Sequence, residues 1–131
     1  MNIGFLGLGK LGLPVSLAVE NKGHKVFGYD ISKQTIEDIK NRKIRYKEEW
    51  VDKYLPTTKL EITNIDDLVK KSEIIFVPIQ TPHDPKYEGV TRIPSKRIDF
   101  DYTFLKSGIK DLSKAIEKNG KDKVVIIIST V

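Results

Sequence analysis

The stretch NIGFLGLGKLGLPVSLAVENKGHKVFGYD, Asn2 to Asp30, constrains the fold more than any other part of the chain. A short apolar run leads into Gly7-Leu8-Gly9-Lys10-Leu11-Gly12, a helix-like segment over residues 10–22 follows, and a second apolar run closes on Asp30. Glycine takes a positive φ without steric cost and lets other atoms come close to the backbone. At this spacing Gly7 allows the sharp strand-to-helix turn, Gly9 opens the backbone to close approach, and Gly12 lets the helix pack tightly on the strand. The chain is thereby committed to a β-α-β start.

A helix that begins in such a turn presents unpaired N–H groups and a positive dipole end, which suit a pyrophosphate. Asp30 stands 30 − 12 = 18 residues past the last glycine. An acid about 20 positions on accepts hydrogen bonds from adenosine ribose hydroxyls. A glycine turn without a ligand would leave that combination unexplained, so the motif reads as a dinucleotide site. A carboxylate at Asp30 repels a 2′-phosphate, which favours NAD over NADP, although Lys33 lies close by in sequence. Pro14 reads as a local kink, because a backbone bond lost in the first helical turn costs little.

Strand-like and helix-like segments alternate along the remainder, which predicts an α/β fold with a parallel sheet. KVFGYD is the second strand, and Gly23 before it suits a helix C-cap with positive φ. Ser32 can cap the next helix, with Ile36 and Ile39 turned inward. KLEIT alternates as a half-covered third strand would, and Asn64 can cap a short helix with Asp66 and Asp67 at its start and Lys70 and Lys71 at its end. EIIFVPI reads as a buried fourth strand, since parallel strands covered on both faces are continuously apolar. Leu105, Ile109, Leu112 and Ile116 form a helical stripe that ends at Asn119-Gly120, and VVIIIS is the fifth strand. The expectation is one domain, residues 1–131, with a three-layer, doubly wound Rossmann-type sheet of strand order 3-2-1-4-5.

Composition narrows the partners only slightly. With 39% hydrophobic and 31% charged residues the chain is too apolar for disorder, and its net charge of +5 suits any anionic partner. The absence of cysteine excludes disulfides, zinc-thiolate sites and a cysteine nucleophile within this chain. His24 and His83 lack metal-ligand spacing, so no metal is expected. In RKIRYKEEW the basic and aromatic residues are interleaved with Glu48, Glu49 and Asp52. Trp50, Val51, Tyr54 and Leu55 would share one packed helix face, and the segment reads as packing plus a solvated face rather than a nucleic-acid surface. No run reaches the ~18 apolar residues of a membrane helix, so the expectation is a soluble, cytoplasmic protein that binds neither membrane nor nucleic acid.

Four segments, GFLGLGKLGLPVSLA, GYDIS, FVPIQTP and VVIIISTV, resemble the UDP-glucose/GDP-mannose dehydrogenase family of nucleotide-sugar 6-dehydrogenases. The resemblance runs in order along nearly the whole chain but covers only the opening part of such an enzyme. It implies an NAD-dependent, four-electron oxidation of a sugar C6 alcohol to a carboxylate through an enzyme-bound thiohemiacetal, in polysaccharide biosynthesis, by a homo-oligomer acting on a nucleotide sugar. By the same resemblance Gly9, Lys10 and Leu11 line the pyrophosphate, Asp30 holds the ribose, and Thr81 and Thr130 contact the cofactor further along. The threonine at the position of Thr130 also helps hold a catalytic water. The family's nucleophilic cysteine and its catalytic lysine, asparagine and aspartate lie beyond Val131, so this chain alone should not complete the reaction.

The chain departs from the family at three points. Val77-Pro78-Ile79-Gln80-Thr81-Pro82 stands where Val-Pro-Thr-Pro is usual, and Thr35 occupies a position that is commonly lysine, with Lys33 the nearer cation. Residues 82–99 exceed the ~12–15 residues usual for structureless loops. That loop carries Lys86, Arg92, Lys96 and Arg97 and reads equally as a lid over an anionic diphosphate or as a solvated insertion. Two other readings stay open, a non-catalytic dinucleotide-binding module and a β-hydroxyacid-type dehydrogenase.

Overall fold

The computed structural model describes residues 1–87 and 95–130. Five strands, β1 (Asn2–Leu6), β2 (Lys25–Tyr29), β3 (Glu61–Ile62), β4 (Ile74–Val77) and β5 (Val124–Ile127), form one sheet in the order β3-β2-β1-β4-β5. Every pairing is parallel. Helices α1 (Gly12–Asn21), α2 (Lys33–Lys40) and α3 (Glu49–Tyr54) cover one face, and α4 (Ile65–Lys71) and α5 (Thr103–Asn119) cover the other. This is the doubly wound Rossmann arrangement that the alternation of segments predicts.

Each face has its own core. Phe5, Leu8, Leu13, Leu17, Val26 and Ile39 pack with Val51 and Leu55 of the α2–β3 connection. On the far side Leu6, Phe27, Leu68, Ile75, Val77, Leu105 and Leu112 pack together. Alternate residues of β1 therefore serve opposite layers, as the two-residue period of a strand requires. Phe5 and Phe76 stack across β1 and β4 with ring centroids 5.3 Å apart.

Local signals set the helix ends. Ser32 accepts the Thr35 N–H at 3.2 Å, and Asn64 accepts the Asp67 N–H at 2.8 Å. Gly23 has φ 92°, and Gly120 caps α5 with φ 66°. The first helix begins at Gly12 rather than residue 10, because residues 9–11 belong to the turn and the first backbone bond runs from Leu13 N–H to the Gly9 carbonyl.

Other elements differ from expectation in instructive ways. Only Glu61 and Ile62 of KLEIT pair as strand. In EIIFVPI, Ile75 and Val77 are fully buried under α4 and α5, whereas Ile74 and Phe76 on the other face are half-buried. Val51 and Leu55 pack inward as predicted, but Trp50 stays 38% exposed and rests its ring on Tyr54, centroids 4.5 Å apart. The continuous apolar run of β5 also leaves Val124, Val125 and Ile127 exposed, since β5 is the outer strand among the described residues.

A long-range staple fixes the segment that brings the chain from α3 back to the sheet edge. Glu20 of α1 accepts the hydroxyl of Thr58 and, at 2.6 Å, the N–H of Lys59. Glu20→Ala strips both donors of their acceptor and is expected to destabilise the fold by about 2 kcal/mol in urea unfolding. A change within about 0.5 kcal/mol, the range of an ordinary surface substitution, would show that the staple contributes nothing.

Candidate dinucleotide site

The sheet register builds the site. Leu6 pairs with Tyr29, so β1 and β2 end side by side, and the Gly7 N–H donates to the Tyr29 carbonyl at 2.8 Å. Gly7 then turns the chain with φ 118°, a conformation that a side chain would strain. A Cβ on Gly12 would lie well inside contact distance of the Gly7 carbonyl oxygen and 2.8 Å from Pro78 Cγ, so the helix closes on the turn with no room for one. Gly9 is the opposite case. A Cβ there would meet nothing within 4 Å, so its open side faces free space.

The same turn carries unengaged donors. Among the described residues no backbone hydrogen bond engages the N–H groups of Gly9, Lys10 or Leu11. Unengaged amides at the head of α1 give the positive partial charge that an anion needs. Asp30 is half-buried beside the turn; it accepts the Leu8 N–H on Oδ2 and the Ser32 N–H on Oδ1, both at 2.8 Å. A carboxylate has about four lone-pair sites, so each oxygen keeps capacity for a further donor such as a ribose hydroxyl. Past Asp30 a groove of about 420 Å³ opens at the sheet edge, lined by Tyr29, Ile36, Ile62, Thr63 and Asn64 among others. The residues present fit a dinucleotide: open space at Gly9, free amides along the turn, and an acid with spare acceptor capacity.

Lys33, the first residue of α2, is exposed, as are Lys10 and Leu11. The Lys10 ammonium stands 5.9 Å from the ring centroid of Tyr46, a residue of the α2–α3 connection. Burial, and secondarily the Glu48 carboxylate, raise the Tyr46 phenol above its ordinary pKa. No sequence signal marks this contact, because nothing local links residues 10 and 46.

At the other side of the crevice Val77 pairs with Ile127, bringing the ends of β4 and β5 together. The Thr81 hydroxyl donates to the Thr130 carbonyl at 2.8 Å, so these two residues do meet. The Ser129 hydroxyl lies 3.1 Å from the Val77 carbonyl oxygen and also reaches that of Ile79. The long loop leaves and returns at one point, since the Asp101 N–H donates to the Pro82 carbonyl at 2.7 Å. Thr103, through its hydroxyl and its N–H, holds the Asp101 carboxyl below the usual carboxylate range. Lys86, Lys96 and Arg97 are exposed, while Arg92 lies outside the described residues, as does Val131.

His24 is half-buried between α1 and β2, and His83 is exposed and borders a cavity of about 280 Å³ with Asp84, Tyr87, Ile98 and Phe100. Among the described residues no group of three or more His, Cys, Asp or Glu could hold a metal ion. No helix among them is long and apolar enough to cross a membrane.

Comparison with known proteins agrees with this geometry. Residues 1–131 match the UDP-glucose/GDP-mannose dehydrogenase family, NAD binding domain. A UDP-N-acetyl-D-mannosamine dehydrogenase of Pyrococcus horikoshii is 27% identical across 100% of this chain, which covers 29% of that protein. Protein CapL of Staphylococcus aureus is 40% identical over 63% of this chain and 19% of its own length. The ternary complex of GDP-mannose dehydrogenase from Pseudomonas aeruginosa superposes with a TM-score of 0.80 at 24% identity, covering 100% of this chain and 29% of that one, and so shares its fold. The chain thus spans under a third of the length of these relatives. It belongs to the UDP-glucose/GDP-mannose dehydrogenase family, and the part of that family it represents is the NAD-binding domain.

Proposed function

We propose that this chain holds NAD for a nucleotide-sugar 6-dehydrogenase that oxidises a sugar C6 alcohol to the carboxylate. The observation that carries the reading is the row of unengaged amides at Gly9, Lys10 and Leu11 beside a half-buried carboxylate. In this reading the amides and Lys10 hold the pyrophosphate, Gly7 and Gly12 keep the turn in shape, and Asp30 takes the ribose hydroxyls. Lys33 is a peripheral cation near the ribose, and Thr81 and Thr130 border the nicotinamide end. When bound, the nicotinamide supplies a two-electron acceptor for hydride.

The chain's own residues bind and orient. Thr130 lies at the carboxyl end of β5, where an open parallel sheet presents its ligands. In this reading its hydroxyl helps hold the water that the oxidation to a carboxylate takes up. No cysteine is present, so this chain does not supply a thiolate. The relatives named for nucleotide-sugar oxidation, and CapL, support a place in polysaccharide biosynthesis, with a nucleotide sugar as the second ligand. The full enzyme is proposed to be a soluble cytoplasmic homo-oligomer that binds neither nucleic acid nor membrane.

Stoichiometry tests the reaction. An alcohol-to-carboxylate oxidation removes four electrons and takes up one water, so the complete gene product should form two NADH per nucleotide sugar consumed. A ratio of one would restrict it to a single two-electron step. No turnover with any nucleotide sugar would favour the non-catalytic binding module.

A further inference from the structure

β4 and β5 end in register, yet the chain leaves β4 through Pro78, Ile79 and Gln80 before it reaches Thr81. Something must fix that exit if Thr81 is to stand opposite Thr130. Pro78 and Ile79 are held from two sides by packing. Their side-chain carbons lie 3.6 and 3.7 Å from where a Gly7 Cβ would be, and the tip of Ile79 fills the space left by the missing side chain of Gly108 on α5. Beyond Ile79 no such packing is at hand: Gln80 is exposed.

The polar tie at this point is Ser129. Its hydroxyl has one proton and two carbonyl oxygens in reach, those of Val77 and Ile79. The Val77 carbonyl already accepts the Ile128 N–H at 3.2 Å, whereas the Ile79 carbonyl has no other partner among the described residues. The hydroxyl is therefore best used on Ile79. Next along, the Thr81 hydroxyl closes the strand ends with its 2.8 Å bond to the Thr130 carbonyl.

We propose that Ser129 is a positioning residue of the cofactor site, whose hydroxyl, donated to the Ile79 carbonyl, sets the Thr81–Thr130 pair at the nicotinamide end of the crevice. The proposal rests on the NAD reading above. A dinucleotide lies across the crevice where strand order reverses, so with its adenosine at Asp30 its nicotinamide half falls on the β4–β5 side. Ser129 should then matter for that half alone, because the turn itself is pinned by packing and by Asp30.

ADP-ribose, which carries the adenosine, the pyrophosphate and a second ribose but no nicotinamide, separates the two halves. With Ser129→Ala, calorimetric titration should show NAD binding weakened about fivefold, the usual scale of one lost hydrogen bond, and ADP-ribose binding unchanged within about twofold. Ser129→Thr, which keeps the hydroxyl, should restore most of the NAD affinity. Unchanged NAD binding in Ser129→Ala, or equal losses for both ligands, would overturn the assignment while leaving the NAD reading intact. A parent chain that binds neither ligand would overturn that reading and this one with it. Should Ser129→Ala fail to fold, Ser129→Cys, which keeps the shape of the side chain but is only a weak donor, takes its place. Selective loss of NAD then supports the proposal, and parallel or absent loss contradicts it.

Discussion

Gly9→Ala is expected to fold as stably as the parent chain and to lose NAD by at least tenfold. The added methyl meets no protein atom within 4 Å, so nothing in the fold has to move. In the proposed site it enters the space through which the pyrophosphate approaches the amides of residues 9–11. Hydrogen bonds to charged groups contribute about 1.5–3 kcal/mol each, so displacing the ligand from one of them costs roughly tenfold to a hundredfold in affinity. Gly12→Ala makes the contrasting case. Its methyl is driven against the Gly7 carbonyl and Pro78, so it should destabilise the chain by about 3 kcal/mol and abolish binding through the fold. Unfolding curves and NAD titrations on the two variants separate the roles. Equal stability losses would mean that Gly9 is structural, and full NAD affinity in Gly9→Ala would place the pyrophosphate elsewhere.

Asp30 carries the second large effect. Its carboxylate holds the turn through Leu8 and opens the second helix through Ser32, both at 2.8 Å, and in the proposed site it also grips the ribose. Asp30→Ala leaves those two amides without their acceptor and should weaken NAD by roughly tenfold to a hundredfold. Asp30→Asn is the more informative change. The amide oxygen can still accept one N–H while the negative charge is gone, so NADP should gain on NAD even as NAD weakens. The ratio of the two dissociation constants, measured in parent and variant, checks this. A ratio that does not move would show that the charge at Asp30 does not select the cofactor.

These residues were legible in the sequence because backbone sterics act locally. A positive φ at Gly7, a closed contact at Gly12 and an open one at Gly9 follow from the spacing of three glycines in one turn. The caps at Ser32 and Asn64, and the strand order, were readable for the same reason: short-range hydrogen bonding and the alternation of segments leave few alternatives. What stayed hidden depends on residues far apart in the chain. Ser129 meets Ile79 across 50 positions, Glu20 meets Thr58 across 38, and Lys10 meets the Tyr46 ring, none of which any local pattern encodes. From its spacing Asp30 reads as a ribose ligand, yet its bond to Leu8 appears only once β1 and β2 are laid in register. The apolar face drawn on α3 failed at Trp50 because the helix is short and its packed side is filled by Val51 and, just past its end, Leu55.

The central claim is that the glycine turn and Asp30 together form an NAD site, and isothermal titration of the chain with NAD and with NADP tests it most directly. The account predicts saturable one-to-one binding of NAD, with NADP weaker by about tenfold or more because a 2′-phosphate would face the Asp30 carboxylate. Binding of NADP as tight as NAD, or NAD binding that survives Gly9→Ala and Asp30→Ala unchanged, would contradict it.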